Sequence, residues 1–184
     1  MSGVLGSRRW RALVVAIAAV WAVVAAPVGQ VGAAPAVGAT GAMPDLASGW
    51  GSATACLVWT QGGVVECFAS QEELRATEAQ LRPVQALAPG SASPMSLCYA
   101  DLRLFSGPSY SGSELDVWDV GTWVNLAAYG FANVTVSFSN GSCQAYLAKG
   151  PNGTVAWYPN SGPWASVANM GLYWNDSVQS VFIS

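Results

Sequence analysis

The sequence predicts an all-β protein: a β-sandwich of two Greek keys, preceded by a small ββα unit. Three observations carry this. From about Met95 to Ser184 charges nearly vanish, while aromatics, Gly, Asn and Ser recur at short intervals. Apolar and polar residues alternate in "LRLF" (102–105), "ANVTVSF" (132–138) and "SVQSVFI" (177–183), the period of a half-buried strand and not of a helix. An aromatic followed seven places later by glycine also occurs twice, as Phe105 with Gly112 and Tyr146 with Gly153.

The chain opens with a different texture. Arg8, Arg9 and Arg11 precede the apolar run "ALVVAIAAVWAVVAA" (12–26), which is followed at once by Pro27 and then by small residues. A basic start, a short apolar stretch and a small-residue cleavage site make a secretory signal peptide. The run is shorter than the roughly 20 residues of a bilayer span. Val31-Gly32-Ala33 is the favoured cleavage signature, with Ala34 to Ala36 the alternative; the first makes residues 1–33 the leader, and the expected destination is extracellular. Residues 34–54, mostly Ala, Gly, Pro and Ser, read as a flexible tether.

Without the leader, four cations (Arg75, Arg82, Arg103, Lys149) face ten acids, a net charge of −6. Phosphate binding needs clustered cations, so no nucleic acid is expected, and no membrane contact after cleavage. The 184 residues contain no histidine. That removes Ser-His-Asp and Cys-His nucleophile systems and the usual His-bearing zinc sites. The expectation is a protein that is not an enzyme and requires no cofactor, and a monomer.

Cys56, Cys67, Cys98 and Cys143 form an even set in an exported chain, which reads as two disulfides. Three pairings exist, and spacing favours Cys56–Cys67 with Cys98–Cys143. "CLVWTQGGVVEC" is a hairpin pattern whose turn at Thr60 to Gly63 sets Cys56 opposite Cys67, within bridging distance. "SQEELRATEAQLRP" (70–83) then reads as a helix. Ser70 and Glu73 make a capping box, Leu74 and Leu81 share a face, Glu78 and Arg82 pair at i,i+4, and Pro83 ends it. Residues 55–83 are therefore a small disulfide-bonded ββα unit, too small to bury much alone. A Pro/Ala/Ser linker (84–96) joins it to the domain at 97–184.

Within that domain, Phe131 and Trp174 each precede a serine by six, Ser137 and Ser180. A hairpin folded back on itself needs positive φ at its crease, which Gly adopts freely. An aromatic covers the bare backbone, and a serine from a later strand satisfies a buried backbone group. Four strands closing so form a Greek key, and two keys pack as a sandwich.

Phe105-x6-Gly112 with Tyr110, then Ser137, and Tyr146-x6-Gly153 then Ser180, together resemble the βγ-crystallin Greek-key motif taken twice. "NLAAYGFANVTVSF" is similar to the secreted bacterial branch, which overlaps the peptidase inhibitor I36 family typified by Streptomyces metalloproteinase inhibitor. The resemblance covers residues 97–184, about half the chain, and implies a two-motif sandwich.

Three roles are expected, two of them implied by the resemblance. Microbial members bind calcium through two Asn/Asp, two free positions, Ser/Thr and Ser; "NDSVQS" (175–180) fits except at Gln179, and "ANVTVS" (132–137) fails at Ala132 and Val136. Weak calcium binding is expected at Asn175, Asp176 and Gln179, since calcium wants six to eight oxygens. As an inhibitor of an extracellular protease, the chain would present a stiff loop, either 137–144 or 157–164. Independently of the family, Trp118, Trp123, Trp157, Trp164 and Trp174 suggest a platform for a cell-surface glycan, with Glu114, Asp116 and Asp119 to accept hydroxyl bonds. A glycosidase would need Glu114 with Asp116 or Asp119 at a set separation, and no catalytic role is expected of them.

Overall fold

The computed structural model describes residues 45–85 and 98–184. The leader (1–33), the start of the tether (34–44) and most of the linker (86–96) lie outside the described residues.

Strands β1 (Ala55–Trp59) and β2 (Val64–Phe68) form an antiparallel hairpin whose turn is closed by Gly63 at φ 72°. Cys56 faces Cys67 across it, and the two are bridged. Helix α1 (Gln71–Gln85) follows. The Ser70 hydroxyl accepts the Glu73 N–H at 3.2 Å, and the Glu73 carboxylate reaches back to the Ala69 N–H at 3.0 Å. This is the anticipated capping box, with its return bond one residue early. The helix does not stop at Pro83; it runs two residues further. Proline removes one backbone bond there, while its neighbour Arg82 is anchored to Asp101 at 2.8 Å and lies over the Trp118 ring.

The remaining strands are β3 (Leu102–Phe105), β4 (Glu114–Val117), β5 (Trp123–Asn125), β6 (Ser137–Asn140), β7 (Ala145–Ala148), β8 (Ser166–Val167) and β9 (Ser180–Ile183). They form two sheets, β2-β1-β4-β3-β6-β8 and β5-β9-β7. Each Greek key sends its third strand to the other's sheet: β5 of the first pairs with β9, and β8 of the second pairs with β6. The keys are thereby interlocked. Between the sheets Leu104, Leu115, Phe138, Leu147, Val181 and Ile183 are fully buried. Cys98 and Cys143 form the second disulfide.

Two segments attach more closely than their composition suggests. Residues 45–54, read as the end of a tether, are packed down. Leu46 is buried, and Trp50 stacks on Phe131 at 5.2 Å while donating its indole N–H to the Tyr129 carbonyl at 2.7 Å. Two large side chains anchor a run otherwise made of small ones. The ββα hairpin, in turn, joins the sandwich sheet because β1 pairs parallel with β4. All five residues of β1 are buried as a result.

Helix α1 covers the outer face of this sheet, burying Leu74 and Leu81, and its polar contacts there are ionic. Arg75 pairs with Glu78 at 2.6 Å and with Glu114, Arg82 with Asp101, and Arg103 with Asp101 at 2.7 Å and Glu78 at 3.2 Å. Asp116 is fully buried among them, and neither of its oxygens accepts a hydrogen bond. Four carboxyl groups thus meet three guanidinium groups, with Glu78, Glu114 and Asp116 buried and the arginines reaching partly into solvent, which leaves one negative charge too many. A retained proton resolves this. Burial, and then the hydrogen bond to Glu78, push the Asp116 carboxyl well above the usual range. Burial would raise Glu78 as well, but the bond from Asp116 and the charges of Arg75 and Arg103 outweigh it and hold Glu78 low.

The sign of the pH effect follows. Between the unfolded pKa of Asp, about 4, and the raised folded value, the native state holds a proton that the unfolded chain has lost. Asp116 therefore removes up to about 1.4 kcal/mol of stability per pH unit across that window. Asp116→Asn supplies a hydrogen-bond donor that does not titrate. Denaturant titrations at pH 5 and pH 7 should find the variant's stability falling less with pH than the wild type's. An equal or steeper fall contradicts a protonated Asp116.

Candidate functional site

Two folded hairpins organise the sandwich, and in each a serine sits inside the crease. The Ser137 hydroxyl accepts the Tyr110 N–H at 3.0 Å and donates to the Gly107 carbonyl at 2.6 Å. The Ser180 hydroxyl accepts the Gly153 N–H at 3.0 Å and donates to the Gly150 carbonyl at 2.7 Å. The preceding residues repeat the pattern: Val136 N–H bonds the Phe105 carbonyl, and Gln179 N–H the Ala148 carbonyl, both at 2.8 Å.

These bonds fix the offset between copies at that of Ser137 and Ser180, and five pairs of positive-φ residues keep it, while Gly130 and Gly171 have no such counterpart. Ser109, Tyr110, Gly112, Gly121 and Asn133 have positive φ in the first copy; Asn152, Gly153, Val155, Trp164 and Asp176 have it in the second. The pairing of Phe105 and Gly112 with Tyr146 and Gly153, expected from spacing, is therefore two residues out of step. Tyr110 corresponds to Gly153, Gly112 (φ 80°) to Val155 (φ 69°), and Phe105 to Ala148. The second copy has replaced both the ring and the glycine of the motif. Phe105 still packs edge-on against Tyr110 in the first copy. In the second, the ring against Gly153 is Trp123, from the first key, and a Cβ there would collide with it. Tyr146 instead packs against Trp157 at 5.3 Å.

The residues proposed for calcium lie where the keys clasp each other. Asn133 N–H bonds the Val178 carbonyl at 2.8 Å, and Asp176 N–H bonds the Thr135 carbonyl at 2.9 Å. The Asn175 amide nitrogen donates to Asn169 at 3.1 Å, its Oδ1 is buried without a donor, and the Asp176 carboxylate is exposed. Among the described residues no three acidic or thiol side chains gather as a metal group would need. One carboxylate, one amide oxygen and the longer Gln179 fall well short of a calcium shell.

The two candidate inhibitor loops turn out to be one clamped structure. Asn140 is buried, and its side-chain NH2 meets the carbonyls of Cys143, Ser161 and Gly162 at 2.8, 3.2 and 2.8 Å. The Trp164 N–H bonds the Gly141 carbonyl at 2.7 Å, and Cys98–Cys143 ties the same loop to the start of the domain. Sequence reasoning placed Trp164 at the end of one candidate loop and among the platform tryptophans without singling it out, and it missed the role of Asn140. The Ser137/Ser180 offset was the available signal, since it sets Trp164 under Gly121.

Of the five tryptophans weighed as a glycan platform, Trp118 and Trp174 are buried, Trp123 is half-buried, and Trp157 and Trp164 are exposed. The accompanying acids are unavailable: Glu114, Asp116 and Asp119 are all buried. Asp119 is spent on the Thr60 hydroxyl and the Gln61 N–H, and the other two lie beneath α1. None of them faces solvent as a sugar-binding or glycosidase carboxylate would.

No family model and no curated protein matches the sequence. Among solved structures, the chain is similar to a βγ-crystallin from Ciona intestinalis at 18% identity, covering 46% of this chain and 99% of that one, with a TM-score of 0.39. It is similar to a βγ-crystallin domain from Flavobacterium johnsoniae at 18% identity, over 45% of this chain and 92% of that one, with a TM-score of 0.38. The N-terminal domain of protein S matches at 20% identity over 46% and 96%, with a TM-score of 0.39.

Val155 is β-branched, and left-handed backbone costs a residue with Cβ about 1–2 kcal/mol. It is 81% exposed, so little packing offsets that cost. Val155→Gly should raise stability by about 1 kcal/mol and the melting midpoint by about 2–6 °C. Gly112→Val should do the opposite and more, since its Cβ would meet the Ser106 hydroxyl and the Gly107 backbone. Calorimetry on both variants decides; an unchanged or lower midpoint for Val155→Gly contradicts the register.

Proposed function

We propose that this chain is an exported, non-catalytic binding module of the βγ-crystallin type, and that its recognition element is the clamped loop bearing Trp164. One observation carries the reading. Trp164 is 74% exposed on backbone at φ 62°, where the first copy has Gly121 at φ 71°. Selection for stability alone would keep glycine there. A bulky ring held at such a place, against the local backbone preference, marks a position retained for contact.

The support beneath the ring suits that role. Asn140 and the Cys98–Cys143 disulfide hold the loop from behind, so binding would cost little ordering entropy. Tryptophan is also the side chain most enriched among interface anchors. The loop's backbone is spoken for: Ala165 N–H bonds Gly162 at 3.1 Å, and Asn140 N–H bonds Ala165 at 2.8 Å. A partner would thus meet a side chain and not an extended peptide edge. The protease-inhibitor form of the reading becomes definite in consequence. Trp164 would plug a cleft, and the loop would not lie through it as a substrate does.

Calcium remains a secondary proposal, favoured by the buried, donorless Asn175 Oδ1, an atom of the kind that a cation or water satisfies. With so thin a donor set, 1 mM calcium should move the melting midpoint by less than about 2 °C. A larger shift that disappears in Asn175→Ala would make calcium a principal ligand.

The main reading is tested with Trp164→Gly. The variant should melt about 2–6 °C higher than wild type, because it relieves strain. Wild type at equimolar ratio should block thermolysin, subtilisin or chymotrypsin, and the more stable variant should not. Full activity of all three proteases under a fivefold excess overturns the protease form. A lower midpoint for Trp164→Gly overturns the argument from strain.

A further inference from the structure

The two outer faces of the sandwich are finished differently. Over β4 and β3 the outward side chains are Glu114, Asp116 and Arg103, sealed under α1 by the ion pairs described above. Over β5-β9-β7 the outward row is Trp123, Phe182 and Tyr146, set directly across from one another in the register. Trp157 lies on this row. Its ring is 5.8 Å from Trp123 and 5.3 Å from Tyr146, and its N–H donates to the Gly153 carbonyl at 2.6 Å. Trp123 and Tyr146 in turn contact Phe182 at 5.4 and 6.1 Å. Four rings form a closed circuit, and Trp157 is 52% exposed.

We propose that this aromatic face, which shares Trp157 with the start of the 157–164 loop but does not include Trp164, is a binding site for a neutral polysaccharide. The observations on the face choose the chemistry. The four side chains carry no charge, and the neighbouring outward residue of β5, Asn125, is neutral and bonded to Asn152. The only lysine, Lys149, is directed to the Tyr173 carbonyl and rests on the Tyr173 and Trp174 rings. A ligand here has apolar faces for the rings and no charge to be neutralised. Ten acids stand against four cations in the described residues, so an anionic glycan would be repelled.

Hydrogen-bonding capacity accompanies the rings. The Trp123 N–H and the Tyr146 hydroxyl have no hydrogen-bond partner among the described residues, which leaves a donor and a donor–acceptor beside the rings for sugar hydroxyls. The size of the face also separates a sugar chain from a second copy of this protein. Aromatic side chains offer about 150–250 Å² each, and three of the four are already more than half-buried. The exposed remainder is about 350 Å², under half of the roughly 800 Å² that a stable dimer takes from each partner.

Retention on insoluble cellulose and on insoluble chitin tests the proposal, using the full mature chain with bound and free fractions measured. Wild type should be retained by at least one of the two, and soluble oligosaccharide of the same type should quench or shift its tryptophan fluorescence. Trp157→Ala should lose at least tenfold in affinity while melting within a few degrees of wild type. Tyr146→Phe, which keeps the ring and removes only the hydroxyl, should lose a smaller factor. Trp164→Gly should bind as wild type does, which separates this face from the loop. Failure of wild type to bind either polymer overturns the proposal, as does undiminished binding by Trp157→Ala. Concentration-dependent dimerisation abolished by Trp157→Ala also overturns it, because the face would then belong to a second copy.

Discussion

A hydroxyl held between an amide and a carbonyl is the interaction on which this sandwich depends. Each hairpin folds back so sharply that Gly107 and Gly150 turn a carbonyl inward and Tyr110 and Gly153 turn an N–H inward. Both groups would be buried without partners were it not for Ser137 and Ser180. Serine is suited because its oxygen accepts one bond and donates another from a single small atom. Each serine begins a strand, β6 or β9, so the hairpin is pinned by a residue that arrives last in its key. Closure of the hairpin and completion of the sheet are one event.

The same closure imposes left-handed backbone at matched places in the two keys, and the copies answer it differently. The first uses Gly112 and Gly121; the second uses Val155 and Trp164. The ring that shields Gly153 comes from Trp123, in the strand that the first key lends to the second sheet. Strand exchange thus compensates for the missing motif aromatic, and it does so by gathering Trp123, Tyr146, Trp157 and Phe182 on one face. The exposed ring on the loop and the ring circuit on the sheet arise from the same relaxation of the motif. The first key, under α1, is sealed; the second is the one that faces outward.

Much of the architecture was legible in the sequence. Strand alternation, both disulfides and the capping box of α1 depend on neighbours a few residues apart or on a few cysteines, and such signals survive without tertiary context. The role of Ser137 and Ser180 was accessible because the two copies carry the same residue. The pairing of Tyr146 with Phe105 misled because aromatic-to-glycine spacing is a weak pattern when one copy has lost both members. Nothing local announced that β1 pairs with β4, since parallel pairing across sixty residues of chain leaves no periodicity. The burial of Glu114, Asp116 and Asp119 was hidden for the same reason. Acids in a strand read as solvent-facing until the helix that covers them is placed.

Amide hydrogen exchange in wild type, Ser137→Ala and Ser180→Ala tests the central interaction most directly. The Tyr110 and Gly153 N–H groups should be protected in wild type, close to the limit set by global unfolding. Each alanine variant should lose about 1–3 kcal/mol of stability, with protection lost first at the amide its serine served. Fast exchange of both amides in wild type, or alanine variants as stable as the parent, would contradict the account.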